Sequence, residues 1–341
     1  MKNIKRSFLL IIWLLLLCSG MVDAQNNTSK PKHRKEAIDI LLNDTFSFVQ
    51  LRNDPVNAAN LSLRINPFYF ELDGLNSNLG YDASIRYRIH NKFAISAEYR
   101  GSYFESIEKF GIDQVGSFGG PATGATNFEN FSLNGDYYFN SKLDTNVESV
   151  RIGRYRGFWL TERVTALYQL QYGLRLGLQY FQTYISGNQI AFSGYYINDP
   201  NKTVVNFGNE PIGTMMEENI ISIGYSVTAR HDLLISNKTL GKSKVMGESC
   251  LYADILYAPA ITYTNVIMPN YEYLSGEKYT DFNVNNGIPK SRFGARIGFD
   301  YSDLSIYGLT FGLETGFRPG PTFTSGLYVM GKFGFILNMK I

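Results

Sequence analysis

The sequence predicts an all-β fold: a transmembrane antiparallel up-and-down β-barrel of about ten strands, with twelve as the alternative. Three observations predict it. Apolar and polar residues alternate with the two-residue period of a strand over most of the chain. The alternating stretches run to about ten residues or more, longer than the five or six common in globular proteins and close to the 9–11 that cross a bilayer. The chain opens on a short charged and apolar leader, and no later segment approaches the roughly 18 unbroken apolar residues of a spanning helix.

Composition removes several classes. The 341 residues are 44% hydrophobic, 15% aromatic and 18% charged, which excludes a disordered chain. The formal charge is +2, and residues 1–24 supply the excess through Lys2, Lys5 and Arg6 against Asp23. The remainder is neutral, so a global basic field for nucleic acid is excluded. Of the two cysteines, Cys18 lies in the leader and Cys250 stands alone beyond it, which rules out a disulfide framework and a two-cysteine zinc site.

In the leader, Lys2, Lys5 and Arg6 precede the apolar run Phe8–Leu17, and Val22-Asp23-Ala24 completes a small-residue cleavage site. These are the parts of a secretory signal peptide, with cleavage expected between Ala24 and Gln25. The run is too short for a membrane anchor, which needs about 20 apolar residues. Leu17 is the wrong neighbour for a lipid-modified Cys18. Residues 25–60 are expected to be a basic periplasmic tether and lead-in, polar and solvated through Ala37. Residues 61–341 are expected to form the barrel.

The first expected strand covers 61–70. In 79–90, Tyr81, Ala83, Ile85, Tyr87 and Ile89 alternate with Asp82, Ser84, Arg86, Arg88 and His90. After a tight turn at Asn91-Lys92, strand 92–104 places Phe93, Ile95, Ala97 and Tyr99 against Ala94, Ser96, Glu98 and Arg100. The same signal defines strands near 127–140, 172–185, 219–230, 249–263, 291–302, 304–317 and 324–341. Short inner turns then alternate with long outer loops at 71–78, 105–126, 186–218, 264–290 and 318–323. One inner connection, 141–171, is too long for a turn. As a hairpin in the wall it gives twelve strands, and as a hairpin in the periplasm it leaves ten.

A leader, many long amphipathic strands, unequal connections and a terminal amphipathic strand together resemble the bacterial outer-membrane β-barrel proteins, the porin-like superfamily. The resemblance covers about Leu61–Ile341. It implies the outer membrane as location, outer-membrane lipid as surroundings and the barrel-assembly machinery as a partner during insertion. Such proteins often end in Phe. This chain ends in Ile341, although Leu337, Met339 and Ile341 keep the alternating spacing.

The polar face is expected to line the lumen with Asp82, Arg86, Arg88, Glu98, Arg100, Asp136, Arg175, Arg230, Asp254, Arg292, Arg296, Asp300, Glu314 and Arg318. Unpaired ions in a narrow interior are very unfavourable, so these should pair. About eight strands leave an interior that side chains fill, and open channels need about sixteen. The expected function is a narrow or gated pore for small polar solutes, or a largely plugged barrel. The alternative is an interaction barrel binding a protein or small-solute partner through loops 105–126, 186–218 and 264–290, where Tyr195, Met216, Tyr271 and Phe282 supply binding-surface chemistry. A hydrolase ranks last. His33 lies in the tether, and His90 and His231 fall at inner turns, so no histidine reaches the outer rim. No enzyme activity, cofactor, metal site or nucleic-acid partner is expected.

Overall fold

The computed structural model describes residues 48–73, 77–105, 128–155, 158–186, 192–196, 200–202, 204–208, 213–237, 241–263, 266–267, 281–283, 288, 290–321 and 326–340. The leader, the tether through residue 47, loop residues 106–126, Tyr271 and Ile341 lie outside them. The described residues contain strands and no helix.

Ten strands build the wall: β2 (Leu61–Asp73), β3 (Ser77–Ile89), β4 (Phe93–Glu105), β5 (Glu129–Tyr155), β6 (Phe158–Ser186), β9 (Gly213–Asn237), β10 (Gly241–Tyr263), β13 (Phe293–Ser302), β14 (Tyr307–Phe317) and β15 (Leu327–Met339). Five shorter strands complete the set: β1 (Phe48–Asn53), β7 (Phe192–Tyr196), β8 (Val205–Gly208), β11 (Val266–Ile267) and β12 (Asp281–Asn283). The order β9-β10-β13-β14-β15-β2-β3-β4-β5-β6 returns to β9, so the sheet closes on itself. The described wall pairs are antiparallel, and Leu61 lies opposite Met339 where the first and last wall strands meet.

All ten expected strands are present. Tight connections, including the His90–Lys92 turn with His90 at φ 53°, gather at one end, the turn end. β2, β4, β6, β10 and β14 end at the opposite end, the loop end.

Segment 141–171 adds no wall strands. It continues β5 and β6, whose 27 and 29 residues outrun the 13 of β4. The β4–β5 ladder ends at Phe93↔Tyr137, and β5 runs on past the turn end. The outward side chains there include Lys142, Asp144 and Glu148, so the sheet continues where its apolar outer face stops. Of the described residues, 48–49, 151–155, 158–162, 235–237 and 241–243 belong to a second compact unit and are all strand.

The burial pattern is inverted relative to a soluble protein. Ile85, Ile95, Leu133, Leu176, Ile223, Ile255, Ile297 and Phe335 are exposed, while Asp82, Arg88, Arg100, Asp254 and Glu314 are buried. A continuous apolar exterior of this size is a surface for lipid rather than water.

One phase slip matters for the interior. Pro67 lacks an N–H, and a bulge falls between Asn66 and Tyr69. Before it, Arg64 and Asn66 point inward; after it, Tyr69 and Glu71 do, while Phe68 and Phe70 turn outward.

Candidate functional site

The candidate site is the charged interior, which forms two packed layers. Nearest the turn end, Glu248 of β10 meets three guanidinium groups. Arg86 Nη1 lies 2.8 Å from Oε1, and Arg88 Nη2 and Arg230 Nε lie 3.0 and 2.9 Å from Oε2. Arg86 also faces Asp136 at 3.5 Å and donates to the Tyr138 hydroxyl at 2.7 Å. Arg88 donates to Gln171, whose amide donates in turn to the Asn91 carbonyl at 2.7 Å. The register explains the convergence. Arg86 and Arg88 are two residues apart on β3 and so share a face, and β9 and β10 bring Arg230 and Glu248 from the opposite side of the ring.

Toward the loop end a second network is richer in acids. Asp254 binds Arg296 at 2.7 Å and Arg175 at 3.5 Å. Glu314 accepts from the Tyr252 and Tyr328 hydroxyls at 2.5 and 2.7 Å and lies within 4 Å of Arg296 and Arg100. Arg100 donates to Glu98 at 2.5 Å and sits 3.8 Å from Asp82. Lys332 bridges Glu98 at 3.1 Å and Asp300 at 3.6 Å. Arg318 holds Glu71 with both terminal nitrogens and stacks over the Tyr328 ring at 3.8 Å. Gly298 is required beside Tyr252, because a Cβ there would overlap the phenol ring that reaches Glu314.

Thirteen of the fourteen expected lumen residues therefore enter ion pairs within the barrel. Arg292 differs: it stands one residue before β13 and is exposed, with its carbonyl accepting from Ala258 N–H. Sequence reasoning missed Glu71, Glu218 and Glu248, which lie one residue beyond the expected strand limits, and Arg64, which precedes the Pro67 slip.

The turn end is crossed by backbone. Below the Tyr168↔His231 pair the β6–β9 ladder stops. There Gln50–Asn53 of β1 lies beside β9, Arg52 binds the buried Asp232 at 2.7 Å, and Asn53 accepts from Leu167 N–H at 2.7 Å on β6. The chain then runs from Asp54, whose N–H donates to the Asp232 carbonyl, to Asn60, whose N–H donates to the Met339 carbonyl of β15. β9 and β2 are five strands apart in either direction around the ring, so residues 54–60 span its diameter. This strap lies against the arginine layer: Arg230 donates to the Ala59 carbonyl at 3.0 Å, and Arg88 N–H donates to the Asn60 carbonyl at 2.7 Å. The Asn57 side-chain amide, 2.7 Å from Asp54, holds that carboxyl below its usual range.

His231 stacks on Tyr168 with ring centroids 5.7 Å apart, and His90 sits in its turn, so both described histidines lie at the turn end. At the loop end, β11-β12-β7-β8 form a small sheet from the expected outer loops 186–218 and 264–290, with Val266 opposite Phe282 and Phe282 opposite Tyr196.

Fold and site together define a closed antiparallel β-barrel with an apolar exterior and an ion-paired interior. No family model and no curated sequence matches the chain. Among solved structures it is similar to the NanC porin at 8% identity, over 82% of this chain and 99% of that one, with a TM-score of 0.27. It is similar to OprB of Pseudomonas putida at 7% identity, over 77% of this chain and 59% of that one, with a TM-score of 0.19. The CymD monoaromatic hydrocarbon channel shares 9% identity over 83% of this chain and 90% of that one, with a TM-score of 0.23. With scores this low, the architecture rests on this chain's own strand pairing.

Proposed function

We propose that this chain is an outer-membrane β-barrel that works as a narrow, gated pore for small polar solutes, closed at rest by its N-terminal strap. The observation that carries the reading is the closure itself. Residues 54–60 cross the turn end as one run of backbone tied to opposite walls by a few hydrogen bonds. A segment held that way is removable without opening the wall. Behind it lie ion-paired charged side chains, a lining that suits polar solutes better than apolar ones. Lipid contacts the apolar exterior, and the assembly machinery that inserts such barrels is the expected partner in biogenesis.

The test is single-channel conductance of the refolded full chain in a planar bilayer, beside an Arg52→Ala/Asn53→Ala variant that loses the ties to Asp232 and Leu167. Brief openings in the parent and more frequent openings in the variant support the gate. Two folded but silent proteins refute it.

The small outer sheet favours a second reading. It orders parts of two long loops into one surface, which suits a partner-binding role. A folded, silent barrel would move attention there.

A further inference from the structure

Glu218 is the exception among the interior acids. It is 0% exposed, and neither carboxylate oxygen has a hydrogen-bond partner among the described residues. Each of the acids described above has a cation within 4 Å; Glu218 has no such pair among the described residues. Its neighbours are also incompletely satisfied. Gly177 of β6 lies between Asn134 of β5 and Ser222 of β9. Four residues toward the loop end, the same inward row reads Asn130, Phe181 and Glu218. Asn130 Nδ2 has no partner, nor does Thr183 Oγ1, two residues farther along β6, and both residues are buried. Three adjacent strands thus present orphaned polar atoms around one aromatic ring. Phe181 packs edge-on against Phe128 at 5.7 Å and under the Arg318 guanidinium at 4.5 Å. Beside Glu218 the packing is open among the described residues: a Cβ placed on Gly320 would meet, of these, only Glu218 Oε1, at 3.8 Å.

Buried polar groups are nearly always satisfied, and an unsatisfied cluster calls for a partner such as a water, an ion or a ligand. Two carboxylate oxygens and a hydroxyl are acceptors. A primary ammonium group has three donors and no acceptor, so it complements them. The Asn130 amide is a donor and asks for an oxygen on the same ligand. We propose that Glu218, Thr183 and Asn130 form a binding site at the loop end for a small primary amine carrying a hydroxyl or carbonyl oxygen next to its ammonium group. As a statement about the transported solute this rests on the pore reading; as a binding site it stands apart from it.

The probe is ethanolammonium, with ethylene glycol as its uncharged counterpart, titrated into the refolded full chain and followed by saturation-transfer NMR. Ethanolammonium should bind saturably. Glu218→Gln should weaken it by about tenfold or more, as loss of a buried charge-assisted hydrogen bond does. Thr183→Val should weaken it by several-fold, and Glu217→Gln, on the outward face, should leave it unchanged. Gel mobility before and after heating reports folding, and because Glu218 has no ion pair among the described residues to lose, Glu218→Gln should fold at least as well as the parent. Absence of saturable binding, equal binding of ethylene glycol, or binding indifferent to Glu218→Gln each overturns the proposal. Binding by a barrel that never conducts keeps the site and removes the pore, whereas conduction without binding does the reverse.

Discussion

Replacing Glu248 by Gln should be among the most damaging conservative changes in this barrel. The substitution keeps the shape of the side chain and removes one negative charge from among Arg86, Arg88 and Arg230, all within 3.0 Å of its carboxylate. At an effective dielectric of about 20, charges roughly 4 Å apart attract by about 4 kcal/mol each. Desolvation already offsets most of that gain in the parent. What the variant loses is compensation, because three guanidinium groups remain buried with Asp136 as the nearest acid. Removing one partner of a buried pair typically destabilises by about 3–5 kcal/mol, and that is the expected loss here. The assay is guanidinium chloride unfolding of the barrel refolded into lipid vesicles, followed by circular dichroism. Adding Arg230→Met should recover part of the loss, since Arg230 Nη1 already lacks a hydrogen bond among the described residues. A change under about 1 kcal/mol would refute the reasoning, because it would mean that water rather than Glu248 solvates these arginines.

Other outcomes follow from the same geometry. Gly298→Ala should push Tyr252 off Glu314 and destabilise by about 1–3 kcal/mol in the same unfolding assay, as overpacking does. Leu176→Arg on the outer face should reduce stability in vesicles by about 2–4 kcal/mol, whereas Gln182→Arg, beyond the apolar belt, should be near neutral. Cys250, 4% exposed, should react with a maleimide only after unfolding in a Cys18→Ser background, and fast labelling of the folded form would reveal a wider, wetter lumen. Asp54 has a depressed pKa in the folded strap, so its contribution is present above the usual carboxylate range and is lost as pH falls through the lower folded value. Channel opening should therefore rise in acid, and Asp54→Asn should flatten that rise.

The wall was legible because lipid-facing positions must be apolar and lumen-facing ones need not be, which writes a two-residue period into each strand. Where that pressure ends, so does the signal. Residues 141–150 continue β5 with Lys142, Asp144 and Glu148 on the outer face, so the alternation was invisible and 141–171 read as an anomaly. Glu71 and Glu248 were lost at strand ends for the same reason. The bulge at Pro67 reversed parity in mid-strand and hid Arg64. β1 and the strap were unreadable on other grounds: their fit depends on a gap between β6 and β9, a tertiary feature with no local pattern. Glu218 falls in register with Ser222 and Gly224, but nothing in the sequence distinguishes an orphaned acid from a paired one.

The strap also has a place in the order of assembly. It leads directly into β2, whose pairing with β15 closes the ring between Leu61 and Met339. Its other anchor, Asp232, lies about two-thirds of the way along the chain, so β1 has no docking edge until β9 exists. A nascent barrel is thus open at its β2–β15 edge while its first residues already have a target on the far wall. If the strap docks early, it sets the circumference before the last strand arrives, acting as a gauge as well as a gate.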